Sequence, residues 1–160
     1  MNIICEAITD DMTKNDLLFP RTKQALSVYL QIIDDVDNDK LLSVKVRGLD
    51  RCVLEQPGWL QYYAIQGAEI SAAVDLIELE IEIQKSKLWK SLTENHQIDL
   101  SQMDKSNYIG HDDKIIKLKR MLYVLRELLQ KENAIIDAFR AQGYALNSYI
   151  RAKQGAVEID

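Results

Sequence analysis

Ile77-Glu78-Leu79-Glu80-Ile81-Glu82-Ile83 can be read two ways, and the choice decides the fold. Strict alternation of apolar and acidic residues is the pattern of a half-buried strand. The flanks favour a helix. Leu60, Tyr63, Gly67, Ile70, Val74, Ile77, Ile81 and Leu88 recur in steps of three and four, interrupted at Gln84, and so trace one helical face. No Gly or Pro between Ala68 and Ile109 marks where a strand would begin or end. Leu76, Leu79 and Ile83 add a second apolar edge, which predicts neighbours on two sides. Pro57-Gly58 stands ahead of the pattern, and Pro suits a first helical turn, so the helix is expected to start there.

A second long helix is expected from Asp112 to Gln142, with continuation toward Ala152. Asp112 and Asp113 suit an N-terminus, where the helix dipole favours negative charge. In heptads, one seam position holds Ile115, Leu122, Leu129, Ile136, Gly143 and Ile150. The other holds Leu118, Leu125, Glu132, Phe139 and Leu146. Such a repeat, with Glu132 and Gly143 as exceptions, marks a helix packed lengthwise on a partner: the first long helix, another subunit, or both. The polar stretch from Thr93 to Asp113 reads as a connection. Thr22 to Ile33 reads as a helix, and Leu41 to Val46 as a short helix or an extended piece.

The expected fold is therefore all-α: two long antiparallel-type helices with shorter N-terminal helices, assembled as a helical-bundle oligomer. Residues 1–56 form an N-terminal helical region or arm, 57–152 the long-helix core and oligomerisation region, and 153–160 a short C-terminal tail.

Composition agrees with one helical domain. The chain has 160 residues with only six Gly and two Pro, too few for a turn-rich sandwich or barrel. It carries 20 basic and 25 acidic side chains, net −5, which argues against a generic polycation-type nucleic-acid binder. The charge is uneven. Residues 1–58 hold 7 basic and 10 acidic groups, 59–105 hold 4 and 8, and 106–160 hold 9 and 7, so only the last segment is net basic. Cys5 and Cys52 lie far apart with no ligand spacing, which predicts reduced thiols rather than zinc or a disulfide framework. The first residues lack the charge pattern of a secretory leader, and no apolar run reaches membrane-spanning length. A cytoplasmic protein is expected.

Catalytic chemistry finds little footing. His96 and His111 both fall in the polar connection without a nucleophile or a third member, and read as solvated loop histidines. No phosphate loop, metal motif or cofactor signature occurs, so neither cofactor nor enzymatic activity is expected. Asp35-Val36-Asp37-Asn38-Asp39-Lys40 resembles the start of a calcium loop, but Lys40 stands where Gly is required and Val46 where Glu is required. It reads as a solvated acidic turn.

The cations are more informative. Asp75, Glu78, Glu80 and Glu82 are followed by Lys85, Lys87 and Lys90, with Trp89 between the last two. Cations beside an exposed aromatic are the elementary unit of single-strand binding, because phosphates are neutralised while bases stack. On the second helix Lys119, Arg126 and Arg140 share a heptad position, flanked by Lys117 and Arg120. Such a stripe serves either phosphate contact or pairing with acids across a helix interface.

Two stretches carry a family resemblance. Ile135-Ile136-Asp137-Ala138-Phe139-Arg140-Ala141-Gln142-Gly143-Tyr144-Ala145-Leu146 resembles the C-terminal signature of the UvsY-type recombination mediators of bacteriophages. Lys85-Ser86-Lys87-Leu88-Trp89 is similar to that family's basic stretch, and Leu54 to Tyr63 looks like the entry to its long helix. The similarity covers residues 54–152. It departs at Trp89-Lys90, where the family has acid and aromatic, and at Asn147 and Ser148, where it is more basic. The resemblance implies a ring-forming homo-oligomer without enzymatic activity. Such a protein binds single-stranded DNA and a single-strand-binding protein, and loads a RecA-like recombinase in the host cytoplasm. Under that reading Lys85, Lys87, Trp89 and Lys90 contact the strand, with Lys117, Lys119 and Arg120 as auxiliary contacts. Ile115, Leu118, Leu122, Leu125, Leu129, Ile136, Phe139, Leu146 and Ile150 then build the bundle and the ring. The rival expectation is a phage structural, scaffold or adaptor protein with no DNA binding.

Overall fold

Ile77 and Ile81 are buried, whereas Leu79 is 58% exposed and Ile83 sits at the surface. A strand would have placed all four on one face; a helix separates them as observed. The computed structural model describes residues 2–16, 18–35, 38–94 and 100–157. The elements are α1 (Ile3–Thr13), α2 (Pro20–Asp35), α3 (Asn38–Leu42), α4 (Val44–Arg47), α5 (Leu49–Glu94), α6 (Gln102–Gly110) and α7 (Asp113–Val157), with no strand among the described residues. None of these helices is long and apolar enough to cross a membrane. Cys5 and Cys52 are free thiols.

The chain forms two units, Met1–Ser27 with Glu69–Leu128, and Val28–Ala68 with Leu129–Asp160. In the first, α5 and α7 run antiparallel, tied by an ion pair of 2.5 Å between Arg126 and Glu78. Ile70, Ala73, Val74, Ile77 and Ile81 of α5 are buried, as are Ile115, Leu118, Met121, Leu122, Leu125 and Leu128 of α7. Helix α1 adds Ile4 and Ile8, both fully buried. Its N-cap is Asn2, whose side chain accepts from the Cys5 N–H and donates to the Glu69 carbonyl at 2.7 Å. Asp11 then caps α2 from ten residues upstream. Its carboxylate accepts from the Thr22 N–H and hydroxyl, both at 2.8 Å, and from the Arg21 N–H at 3.3 Å. Pro20, which has no N–H to satisfy, occupies the first position.

The polar connection proves to contain a helix, α6. Ser101 is its N-cap, accepting from the Asp104 N–H and donating to the Asp104 carboxylate at 2.6 Å. The Ser101 hydroxyl thus serves the helix as N-cap acceptor while the Asp104 carboxylate accepts its hydrogen bond. Ile109 of α6 packs with Leu92 and Ile115, closing the end of this unit. His111 caps the other end, its ring nitrogen 2.7 Å from the Asn107 carbonyl. His96 lies outside the described residues.

In the second unit the long helix begins at Leu49, eight residues before the expected start, and Pro57 lies inside it. Gly48, at φ +82°, ends α4 and turns the chain into α5. The segment is held by tertiary contacts: Cys52 is fully buried, and Gln56 Nε2 donates to the Phe139 carbonyl at 2.7 Å. Leu41 to Val46 falls in two short helices, α3 and α4, with Ser43 extended between them. Tyr63, Ile136 and Phe139 form the core, with Leu41, Leu42, Trp59 and Leu60 packed around them. The Tyr63 and Phe139 rings stack at 5.7 Å.

Both exceptions in the seam acquire a physical setting here. A Cβ on Gly143 would stand 2.7 Å from Gln56 Nε2, so glycine lets the Gln56 side chain approach. Glu132 is fully buried and neither carboxylate oxygen has a hydrogen-bond partner among the described residues. Burial pushes its carboxyl up to about 7. Tyr63 is pushed up to about 12, first by burial and then by the nearby Glu132.

Candidate nucleic-acid interface

The first unit carries a groove between α5, α6 and α7. One basin, of about 510 Å³, is lined by Lys85, Trp89 and Lys90 from α5, by Ser106 and Ile109 from α6, and by Ile115 and Lys119 from α7. Among the described residues no acidic side chain lines it. A second basin, of about 530 Å³, is lined by Ile81, Glu78, Glu82, Leu122, Tyr123 and Arg126. Lys85 and Lys119 line both, so the basins form one continuous feature.

Local helix geometry explains which of the expected residues meet. Residues three or four apart share a helix face, whereas those two apart do not. Lys85 and Trp89, four apart, both enter the groove, and Lys87 between them is exposed outside it. On α7 the same rule brings Lys119 in and leaves Lys117 and Arg120 exposed outside its lining. The expected motif thus divides into a groove set (Lys85, Trp89, Lys90, Lys119) and an outer set (Lys87, Lys117, Arg120).

One cation escaped the sequence reading. Lys105 of α6 holds its ammonium 5.9 Å from the Trp89 ring centroid, within cation–π range. The missed capping pair Ser101 and Asp104 is the signal that would have placed Lys105 on a helix beside the groove. Trp89 is 41% exposed, so its ring is not consumed by the core. Two of the lysines carry acidic neighbours: Lys85 pairs with Glu82 at 2.6 Å and Lys90 reaches Glu94 at 3.8 Å. Both pairs are solvent-exposed and worth at most about 1 kcal/mol, small enough for a phosphate to displace the carboxylate.

The heptad residues have a different placement. Ile115, Leu118, Leu122, Leu125, Ile136, Phe139 and Leu146 are buried by the chain itself, and Leu129 and Ile150 are half-buried. On the second apolar edge of α5, Leu79 and Ile83 are exposed and Leu76 is half-buried. Of the basic stripe, Arg126 pairs across to Glu78 and Arg140 pairs with Asp137 on its own helix at 3.0 Å. Comparison of the chain with protein-family models, with curated proteins and with solved structures returns no match.

Proposed function

We propose that this protein is a non-enzymatic single-strand DNA-binding accessory factor that acts as a recombination mediator. The observation that carries the reading is the basin, without an acid among its described lining residues, in which Lys85, Lys90 and Lys119 surround the half-exposed Trp89, with Lys105 over its ring. Such a site neutralises phosphates and offers a π-face to a base, the two requirements for binding a strand without reading its sequence. The resemblance to UvsY-type mediators adds the biological role: displacement of a single-strand-binding protein and loading of a RecA-like recombinase. A few lysines make a weak site, and repetition in a homo-oligomer raises avidity by about 10²–10⁴. The assembly in this proposal uses surfaces other than the buried seam.

The test is a titration of labelled oligothymidylate at two salt concentrations. Lys85→Ala with Lys119→Ala is expected to weaken binding at least tenfold and to lower the salt dependence, because fewer counterions are released. Unchanged binding in that double variant refutes the site.

A structural or scaffold role is the second reading. It is favoured by the pairing of Arg126, Lys85, Lys90 and Arg140 with acids of the same chain. It predicts no salt-sensitive DNA affinity in the same titration.

A further inference from the structure

We infer that the groove contains a second base-stacking position at Tyr123, so that a bound strand lies lengthwise between Trp89 and Tyr123. The inference rests on the single-strand reading above and adds the path and length of the strand.

Tyr123 is 63% exposed on α7 and lines the second basin together with Ile81 and Leu122. Its hydroxyl donates to the Glu127 carboxylate at 2.9 Å, which ties the outer edge of the ring to the next helical turn. An exposed tyrosine held this way presents a flat face at little further cost in side-chain entropy. The pairing of Arg126 with Glu78, and the shared lining by Lys85 and Lys119, set the antiparallel register. That register places Tyr123 opposite Ile81, eight residues from Trp89, or ~12 Å along the helix axis. At about 3.4 Å per stacked nucleotide, this distance spans three to four steps, and fewer in a stretched strand.

The charges divide the labour. Among the described residues the charged lining of the Trp89 basin is Lys85, Lys90 and Lys119 with no acid, whereas in the Tyr123 basin Glu78 and Glu82 offset Arg126 and Lys85 and leave Lys119 over. Phosphates therefore gather at Lys90, Lys105 and Lys119, and the basin of lower net charge takes a base. Tyr123 then contributes affinity without contributing to counterion release.

Binding of an eight-residue oligothymidylate by the full chain, followed by fluorescence anisotropy at two salt concentrations, separates these terms. Tyr123→Ala is expected to bind about tenfold more weakly with an unchanged slope of log affinity against log salt. Tyr123→Phe, which keeps the ring and loses the hydroxyl, is expected to bind within twofold of the parent. Trp89→Ala is expected to lose binding. Unchanged affinity in Tyr123→Ala, equal loss in Tyr123→Phe, or an altered slope overturns the second position while the Trp89 site stands. Unaltered binding in Trp89→Ala, or no binding by the parent chain, overturns the single-strand reading and this inference with it.

Discussion

Asp11 and Glu132 are both buried carboxylates with opposite consequences. Asp11 is supplied with three donors at the start of α2, so its charge is solvated by the protein. Hydrogen bonds to a charged group contribute about 1.5–3 kcal/mol, and Asp11→Ala would leave the Thr22 N–H and hydroxyl buried without a partner. We expect that variant to lose about 2–3 kcal/mol of stability in urea denaturation. Glu132 has no donor among the described residues. Its folded carboxyl is raised to about 7, above the ordinary carboxylate value, so the folded chain holds a proton that the unfolded chain releases. Stability from this residue is fully present below the unfolded value and is lost as pH rises toward 7, at about 1.4 kcal/mol per pH unit. Glu132→Leu is expected to remove that slope and to unfold at higher denaturant concentration than the parent at pH 8. Equal pH dependence in the two proteins would show that Glu132 is ionised in the fold.

At the scale of elements, α5 tests how far tertiary contact overrides local preference. Proline inside a helix costs about 3 kcal/mol relative to alanine, yet the chain is helical on both sides of Pro57. The turns before it are retained because Cys52 is buried and Gln56 bonds to Phe139. Replacing Pro57 by Ala should stabilise the protein by about 2 kcal/mol, the helix gain less the added freedom of the unfolded chain. A helix that began at Pro57 would show almost no change in the same measurement. Helix α6 shows the reverse situation. Its capping pair was present in the sequence at Ser101 and Asp104, but a stretch with few apolar residues carries no strong periodicity. Only burial of Ile109 against Leu92 and Ile115 makes its amphipathic side visible.

Over the whole molecule, the net charge of −5 limits what the groove can do. Four lysines, Lys85, Lys90, Lys105 and Lys119, face or flank Trp89. For single strands each neutralised phosphate contributes about −0.7 to the slope of log affinity against log salt, so one chain should show a slope no steeper than about −3. A homo-oligomer engaging one strand through several copies should exceed it. Native mass measurement beside the salt titration reads both quantities on the same sample. A slope near zero would instead fit the scaffold reading.

Helix periodicity was determined by the sequence alone. Steps of three and four from Tyr63 to Ile81, and heptads from Ile115 to Leu146, dictate which faces must be hidden from water, because apolar burial depends on spacing along a helix. The sequence also held the elements of the groove, Lys85, Trp89, Lys90 and Lys119, as residue types. It could not determine their grouping. Lys85 and Lys119 lie on different helices, and their meeting depends on the register of α5 against α7. Lys87, Lys117 and Arg120 have the same chemistry and fall outside because of rotation about the helix axis. Lys105 and Tyr123 joined the groove only through packing of α6 and α7. Periodicity is a property of one helix, whereas a site made from three requires the distances between them, and the tertiary structure alone sets those.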